Sequence, residues 1–288
     1  MRVDFFIVGA PKSGTTSLFH YLDEHPEIEM SSQKEPDYFS DKDIQNRGMY
    51  YGKNRIDTIE KYHDLFEDTN SRLKGEGSVS YLFYNNVPAK IKEYNPNAKI
   101  IIMLRNPIDR AFSHYLMDYR LGVVSNTFED IVFKQSKHKH SSLFYQQYVK
   151  VSEYTVQIER YLDFFSADNI LVIDYEEFKK DVLGVVNKTF FFLGVDQDFK
   201  PNVIKKYNTF TMPRSSLIRF IYSSVSLRRL LNYIIPLVVV SQIRAVLFKN
   251  NKKPILAEST RNFLRKHFID DINALSALLK KDYSQWIK

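Results

Sequence analysis

One stretch decides the fold of this chain: residues 5–22, which read FFIVGAPKSGTTSLFHYL. A short apolar run stops at Gly9, and from Ser17 onward apolar side chains recur at helical spacing, so the pattern predicts a strand, a loop and a helix. At such a junction backbone N–H groups and the positive end of the helix dipole converge on an anion. We therefore expect residues 9–16 to bind phosphate.

This loop differs from the usual nucleoside triphosphate loop in the place of its lysine. Gly9 and Gly14 have the spacing of the GxxxxGKS/T pattern, but Thr15 follows the second glycine, and the only lysine of the loop is Lys12. Lys12 can reach the oxygen that bridges a phosphate and a departing group, without a magnesium ligand. The alternative is a tight structural turn with an exposed lysine. Glycines, lysine and paired threonines at one strand-to-helix junction favour the phosphate site.

Further strand and helix signals place the loop in a larger fold. Residues 99–104 are continuously apolar and precede a predicted helix over residues 107–121. Another strand is predicted over residues 169–173, after an amphipathic helix over residues 153–165. Strands that alternate with helices predict a P-loop-type three-layer α/β/α fold around a central, mainly parallel sheet. Because the sequence shows no linker or repeat, we expect one domain over residues 1–288.

The composition bounds the classes of function. The 288 residues include 41 basic and 34 acidic side chains, a formal net charge of +7. This charge favours an anionic partner, and it leaves nucleic acid, an acidic membrane and a phosphorylated small molecule open. The absence of cysteine excludes disulfides, thiolate nucleophiles and cysteine metal ligands. The N-terminus has no pattern of a secretory signal, so we expect a cytoplasmic protein.

The C-terminal third has a different texture. Residues 217–248 mix basic and long aliphatic side chains around Pro236, which predicts two helices. They either lie on an anionic membrane, at its inner face, or cap the cleft of the site, and we favour the cap because apolar residues on helices usually belong to a core. The apolar run over residues 230–240 is too short to span a bilayer, which takes roughly 20 residues. Residues 257–286 have helical spacing and should pack back on the body.

Two motifs resemble those of a known family. PKSGTTSLFHYL, after its apolar strand, resembles the 5'-phosphosulfate-binding loop of the sulfotransferases, in their bacterial and carbohydrate branch. LRNPIDRAFSHY is similar to the family's 3'-phosphate signature, which implies that Arg105 and Ser113 hold the 3'-phosphate of 3'-phosphoadenosine-5'-phosphosulfate. Arg105 also ends a buried strand at the edge where parallel sheets bind ligands. The loop residues implied in donor binding are Pro11, Lys12, Ser13, Gly14, Thr15 and Thr16.

The acceptor side is predicted from the segment KEPDYF. It resembles a segment of carbohydrate-type and bacterial sulfotransferases, which implies that Glu35 is the general base. A base is required because a sugar hydroxyl is a poor nucleophile until its proton leaves. The alternative is a surface carboxylate paired with Lys34. Asp37, where the family often has histidine, is a candidate contact of the acceptor.

A second carboxylate lies in GEGSVSYL, which resembles the family's GExSxxYL segment. We expect Glu76 near the end of a strand close to the donor. It either orients Lys12 or an acceptor hydroxyl, or it hydrogen-bonds backbone groups in a tight turn.

Three more residues are implied by the resemblance on the donor side. Tyr154 begins a helix similar to the family's xYxxQLxxYL helix and is a candidate donor contact, with a core aromatic residue as the alternative. Lys252 and Lys253 occupy the place of the family's basic loop, commonly Lys-Gly-Arg, and can bring positive charge to the 3'-phosphate.

Together the motifs predict in-line transfer of a sulfuryl group to a hydroxyl of a saccharide or glycolipid, with an amine as the alternative acceptor group. Glu35 takes the proton, Lys12 stabilises the leaving 3',5'-bisphosphoadenosine, and neither a metal nor a nucleic acid partner is expected. The alternatives are sulfation of a small-molecule or lipid alcohol, a P-loop kinase, and a non-enzymatic membrane or nucleic acid binder. The seven histidines lack metal-ligand or triad spacing and are expected mostly at the surface.

Overall fold

The computed structural model describes residues 1–47, 55–67, 73–203, 212–213, 248–249 and 254–288. The strands are β1 (Phe5–Gly9), β2 (Ile28–Met30), β3 (Leu73–Gly77), β4 (Lys99–Leu104), β5 (Ile170–Asp174), β6 (Met212–Pro213) and β7 (Phe248–Lys249). The α-helices are α1 (Thr15–Asp23), α2 (Asp41–Asn46), α3 (Ile59–His63), α4 (Val87–Tyr94), α5 (Pro107–Arg120), α6 (Phe128–Val132), α7 (Ser141–Tyr148), α8 (Thr155–Leu162), α9 (Tyr175–Lys180), α10 (Val182–Leu193) and α11 (Glu258–Leu279). Short 3-10 turns cover Tyr38–Ser40, Lys150–Ser152, Ala167–Asn169 and Ser284–Trp286.

Some predictions fall on residues outside these ranges. The two helices predicted over residues 217–248, apart from the first residue of β7, lie outside the described residues, as do Lys252 and Lys253. Within the described ranges, no helix is both long and apolar enough to cross a lipid bilayer.

β1 lies at the centre of a five-stranded sheet with the order β2-β3-β1-β4-β5. Phe5 pairs with Gly75 of β3 on one side and with Lys99 of β4 on the other, and every neighbouring pair in this sheet is parallel. β6 and β7 form a separate antiparallel pair. The predicted central parallel sheet is confirmed.

Side chains of β1 alternate between the two faces of the sheet. Phe6 and Val8 pack in one core with helices α4, α5, α8 and α11. Phe5 and Ile7 pack in the other core with α1, α9 and α10. Because helices cover both faces, a central strand is buried on both sides, which explains the continuous apolar run of β4. The three-layer α/β/α prediction is confirmed.

The C-terminal helix joins the first of these cores. Leu264, Phe268 and Ile272 of α11 are fully buried there, which confirms that the tail packs on the body. The helix ends at Leu279, earlier than predicted, because Lys280 takes a left-handed conformation with a φ of 50°.

Helix starts follow from side-chain caps. The Asn106 side chain accepts a hydrogen bond from the backbone N–H of Ile108 at 3.0 Å, and Pro107 occupies the first position of α5, where its missing N–H costs nothing. The helix predicted from residue 153 begins at Thr155, and it ends three residues earlier than predicted, at Leu162.

The histidines fall into two groups. Five of the seven are partly exposed, in line with the prediction that most lie at the surface, whereas His25 and His114 are buried, with only 1% and 4% exposed. His25 Nε2 lies 2.8 Å from the carbonyl oxygen of Asp196, and its ring packs against Phe190 of α10. His25 is therefore a hydrogen-bonded core residue. Among the described residues, no group of three His, Asp or Glu side chains is arranged to hold a metal ion.

One close contact fixes the pairing of β1 with β3. A Cβ atom at Gly75 would lie 2.1 Å from the ring atom Cζ of Phe5. We expect Gly75→Ala to lower the free energy of unfolding by about 1–3 kcal/mol, as overpacking does. Urea denaturation followed by circular dichroism measures this change. In a Phe5→Leu background, which lacks the distal ring atoms, the same alanine should cost less, and equal costs in the two backgrounds would contradict the explanation.

Candidate active site

The candidate site lies where β1 and β4 end. The chain leaves β1 toward β2 and β3 on one side and leaves β4 toward β5 on the other, so the strand order reverses between them. Open parallel sheets bind ligands outside the carboxyl ends of strands at such a point. The loop after β1 carries Lys12, and Arg105 directly follows β4. Arg105 Nη1 donates a hydrogen bond to the carbonyl oxygen of Lys12 at 3.0 Å, so the two donor motifs meet.

Left-handed backbone shapes the loop after β1. Gly14, with a φ of 93°, is the N-cap residue of α1, and Lys12 has a φ of 70°. A Cβ atom on Gly14 would also lie 3.2 Å from the ring of Tyr175. The first two N–H groups of α1, those of the buried Thr15 and the partly buried Thr16, have no acceptor within their own helix. They are therefore free to donate to an anion in the loop.

Two buried polar atoms of the site have no hydrogen-bond partner among the described residues. Ser13, after the partly buried Pro11 and Lys12, is fully buried, and its Oγ is unpaired. Arg105 Nε is the second such atom. Leaving a buried donor unpaired costs about 1–3 kcal/mol, so these atoms call for a ligand. Oxygen atoms of a phosphate or sulfate group would satisfy both.

Arg105 is held from three sides. Beside its bond to Lys12, its guanidinium lies over the ring of Tyr175, 4.6 Å from the ring centroid. Its carbonyl oxygen accepts a hydrogen bond from the Tyr154 hydroxyl at 2.9 Å. Tyr154 is fully buried, so it supports Arg105 from behind and does not line the site. Ser113 is partly buried on α5, about two turns further along the chain.

Lys12 rests against a weak partner. Its Nζ lies 3.4 Å from Met117 Sδ, and a thioether sulfur is a weak acceptor. Burial and, to a smaller extent, the charge of Arg120 lower the pKa of Lys12 to about 8, whereas Asp118 opposes the shift. A lysine in this state is able to turn toward an anionic ligand, whose negative charge would favour the protonated form of the amine.

Glu35 lies within electrostatic reach of Lys12, because its negative charge raises the pKa of that lysine. Glu35 Oε1 also accepts a hydrogen bond from Lys34 Nζ at 2.8 Å. Its backbone N–H donates to the carbonyl oxygen of Gly77 at 3.0 Å, which fixes the loop to the end of β3. The ion pair with Lys34 belongs to the interpretation of Glu35 as a surface carboxylate, and the position near Lys12 belongs to its interpretation as the base. The structure contains both features.

The side chain of Glu76, near the end of β3, is fully buried. Its Oε2 accepts hydrogen bonds from the hydroxyls of Tyr62 at 2.6 Å and Tyr81 at 3.2 Å. Burial raises the pKa of Glu76 to about 7, against the opposing effect of hydrogen bonds from Ser78 and Tyr62. Because Oε2 is held by two buried tyrosine hydroxyls, the geometry favours the structural interpretation of Glu76.

Asp37 joins the same two segments. Its backbone N–H donates to Ser78 Oγ at 3.0 Å, and its Oδ1 accepts from Ser80 Oγ at 2.6 Å. The side chain is nearly buried, with 7% exposed. Asp37 therefore helps to hold the Glu35 loop against the segment after β3.

The structure adds side chains that the motifs did not single out. Tyr175 contacts both Arg105 and Gly14, and it is the first residue after β5. The rule that singled out Arg105, a residue that follows a parallel strand at its carboxyl end, also points to Tyr175. Met117 and Asp118 gave no such signal, because only helix packing brings them near Lys12.

Curated relatives match the same part of the chain. The bifunctional heparan sulfate N-deacetylase/N-sulfotransferase 4 of Mus musculus is 30% identical over 198 residues, 66% of this chain and 22% of that protein. Carbohydrate sulfotransferase 15 of Mus musculus is 26% identical over 243 residues, 66% of this chain and 43% of that protein. The chain thus spans less than half the length of these relatives.

A solved structure matches over the whole chain. The crystal structure of a sulfotransferase from Alicyclobacillus acidocaldarius is 30% identical, with a TM-score of 0.72 and 100% of each chain covered. A sequence model of the family described as "Sulfotransferase domain" matches residues 2–218. With the donor loop, the strand-end arginine and the parallel sheet in the places that the motifs predicted, the chain belongs to the sulfotransferase family.

Proposed function

We propose that this sulfotransferase moves a sulfuryl group from 3'-phosphoadenosine-5'-phosphosulfate to a hydroxyl group of a saccharide. The observation that carries the proposal is the pair of unpaired buried donors, Ser13 Oγ and Arg105 Nε, in two loops joined through Lys12. They call for an anionic ligand that reaches both loops, as a nucleotide with phosphate groups at its 5' and 3' positions does.

Each end of this donor has its own residues. The first-turn N–H groups of α1, with Ser13, Thr15 and Thr16, would hold the 5' end. Arg105 and Ser113 would hold the 3'-phosphate, and the ring of Tyr175 beneath the guanidinium would fix its orientation. Pro11 shapes the loop. A contribution from Lys252 and Lys253 stays a prediction.

The chemistry follows from three groups. The donor, when bound, supplies a sulfuryl group on an activated phosphosulfate. Lys12 Nζ would leave Met117 and donate to the bridging oxygen, where negative charge develops. Glu35 would accept the proton of the attacking hydroxyl, so that the acceptor oxygen gains its bond to sulfur as the bond to the bridging oxygen breaks. The proton ends on the Glu35 carboxylate.

The acceptor is proposed from the relatives and from the type of base. The relatives named above are a heparan sulfate N-sulfotransferase and a carbohydrate sulfotransferase, which supports a saccharide. A carboxylate base can take a proton from a hydroxyl or from an amine. We propose the hydroxyl, and an amine, the group that the name of the first relative indicates for that relative, is the alternative. A glycolipid acceptor, contact with an anionic membrane through residues 217–248 and a cytoplasmic location stay predictions.

The donor is tested by comparing two nucleotides in isothermal titration. We expect 3',5'-bisphosphoadenosine to bind at least about tenfold more tightly than ADP with magnesium, because Arg105 is directed at a 3'-phosphate and the loop has no lysine after Gly14. Arg105→Met should abolish the preference. Equal binding of the two nucleotides by the unaltered chain would overturn the proposed donor.

The base is tested with Glu35→Gln. We expect kcat to fall by about 10²–10⁴-fold, the usual contribution of a general base, with little change in the affinity for 3',5'-bisphosphoadenosine. The assay uses labelled donor and a saccharide acceptor found by screening glycans. Lys34→Met is the matched control, because it removes only the ion pair, and it should cost less than about fivefold. A full rate in Glu35→Gln would show that another group takes the proton.

Glu76 would act as a support of the Glu35 loop, through the hydrogen bonds that it accepts from Tyr62 and Tyr81. Tyr81 passes the contact on, because its hydroxyl oxygen accepts from the backbone N–H of Phe39 at 3.2 Å. The carboxyl group therefore holds this loop through hydrogen bonds beneath the acceptor side.

The raised pKa of Glu76 makes the free energy of unfolding depend on pH. Its pKa is about 7 in the folded chain against 4.5 for an ordinary glutamate, so between these values the folded chain keeps a proton that the unfolded chain releases. This stabilisation is present below pH 4.5 and is lost as the pH rises through 7, by on the order of 3 kcal/mol in full.

We therefore expect Glu76→Gln to gain stability relative to the unaltered chain between pH 5 and pH 8, a window set by these pKa values. Urea unfolding at several pH values measures the difference. Glu93→Gln, at an exposed position of α4, should show no such trend. A difference for Glu76→Gln that is constant across the window would contradict the raised pKa.

A further inference from the structure

The N-terminus of α8 is capped by another helix. Tyr154, its N-cap residue, has a helical conformation and supplies no side-chain cap. The Asp271 carboxylate of α11 takes that place: Oδ2 accepts from the N–H of Tyr154 at 2.8 Å, and Oδ1 accepts from the N–H of Thr155 at 3.1 Å. The Thr155 hydroxyl donates to the Asp271 carbonyl at 2.8 Å. A carboxylate here also offsets the positive end of the helix dipole.

The capped residue is the one that supports the donor arginine. With its backbone fixed by Asp271, Tyr154 directs its hydroxyl to the carbonyl oxygen of Arg105, and Arg105 in turn donates to the carbonyl oxygen of Lys12. A continuous line of hydrogen bonds thus runs from α11 to the loop that follows β1.

A second attachment reaches the neighbouring residue. The Asn106 side-chain amide donates to the carbonyl oxygen of Trp286 at 3.0 Å, while its Oδ1 caps α5. The ring of Trp286 packs edge-on against Tyr154, with centroids 6.3 Å apart, and against Tyr283 at 4.3 Å. Residues 254–288 therefore hold both Arg105 and Asn106, although they lie beyond the residues that the family model matches.

We propose that α11 is a working part of the donor site and that Asp271 is a positioning residue, which sets the place of Arg105 for the 3'-phosphate. The proposal rests on the donor assigned above. Arg105 has one nitrogen, Nη1, committed to Lys12 and another, Nε, left for a ligand. A planar guanidinium binds phosphate well only in a defined orientation, so a shift of its backbone weakens that contact selectively.

The test compares ligands with and without a 3'-phosphate. In Asp271→Asn one of the two acceptor oxygens becomes an NH₂ group that faces an N–H donor, and the charge is lost. We expect the affinity for 3',5'-bisphosphoadenosine to fall about tenfold, and that for AMP to change less than about twofold, in isothermal titration. Asp270→Asn is the matched control, because it removes the same charge from the adjacent, exposed position. It should leave both affinities unchanged.

Tyr154→Phe gives a second, milder variant. It keeps the cap and the buried ring and removes only the hydroxyl that contacts Arg105, so it should cause the same selective loss even if Asp271→Asn folds poorly. Equal weakening of both ligands, or no weakening, in a folded Asp271→Asn variant would overturn the role of Asp271. A Tyr154→Phe variant without the selective loss would overturn it as well, because Asp271 acts on Arg105 through this hydroxyl. If the unaltered chain binds 3',5'-bisphosphoadenosine no better than AMP, the proposed donor fails, and this proposal fails with it.

Discussion

The hydrogen bond from Arg105 to the carbonyl oxygen of Lys12 joins the two halves of the site, and much of the structure serves it. It links the loop after β1 to the end of β4, the two strands between which the strand order reverses. The sheet brings the loops side by side, Gly14 and Tyr175 shape the space around the guanidinium, and α8 and α11 hold the arginine from below. A single backbone oxygen thus joins the two loops of the candidate site.

Charges of like sign lie close together on both sides of the candidate site. Lys12, Arg105 and Arg120 place positive charge in a partly buried region, and the lowered pKa of Lys12 records the cost. The acceptor side has the opposite problem, because burial and the negative charge of Asp37 both raise the pKa of Glu76 beneath Glu35. The proposed anionic donor would offset the positive charge around Lys12. On the acceptor side, tyrosine and serine hydroxyls donate hydrogen bonds to Glu76 and Asp37.

The parts of the fold that could be predicted from sequence are those written in local pattern. β1 and β4 contain unbroken apolar runs, and α5 has helical spacing with its cap, Asn106, directly before it. The loop after β1 lies where a parallel strand passes into a helix, which is a common position for an anion site. β2 is three residues long and gives no signal of its own. The start of α8 could not be predicted, because its cap, Asp271, comes from a helix more than a hundred residues away. Likewise, Glu76 is a supporting residue only because folding brings Tyr62 against it.

The resting place of Lys12 on Met117 has a consequence for the proton balance of the enzyme. Near pH 8 about half of the molecules carry a neutral amine at this position. A polyanion that enters the loop makes the ammonium form more favourable, so binding draws protons from the solvent, and affinity for such ligands rises as the solution becomes less alkaline. In the proposed reaction the departing nucleotide is a polyanion as well, so its release would return those protons to the solution.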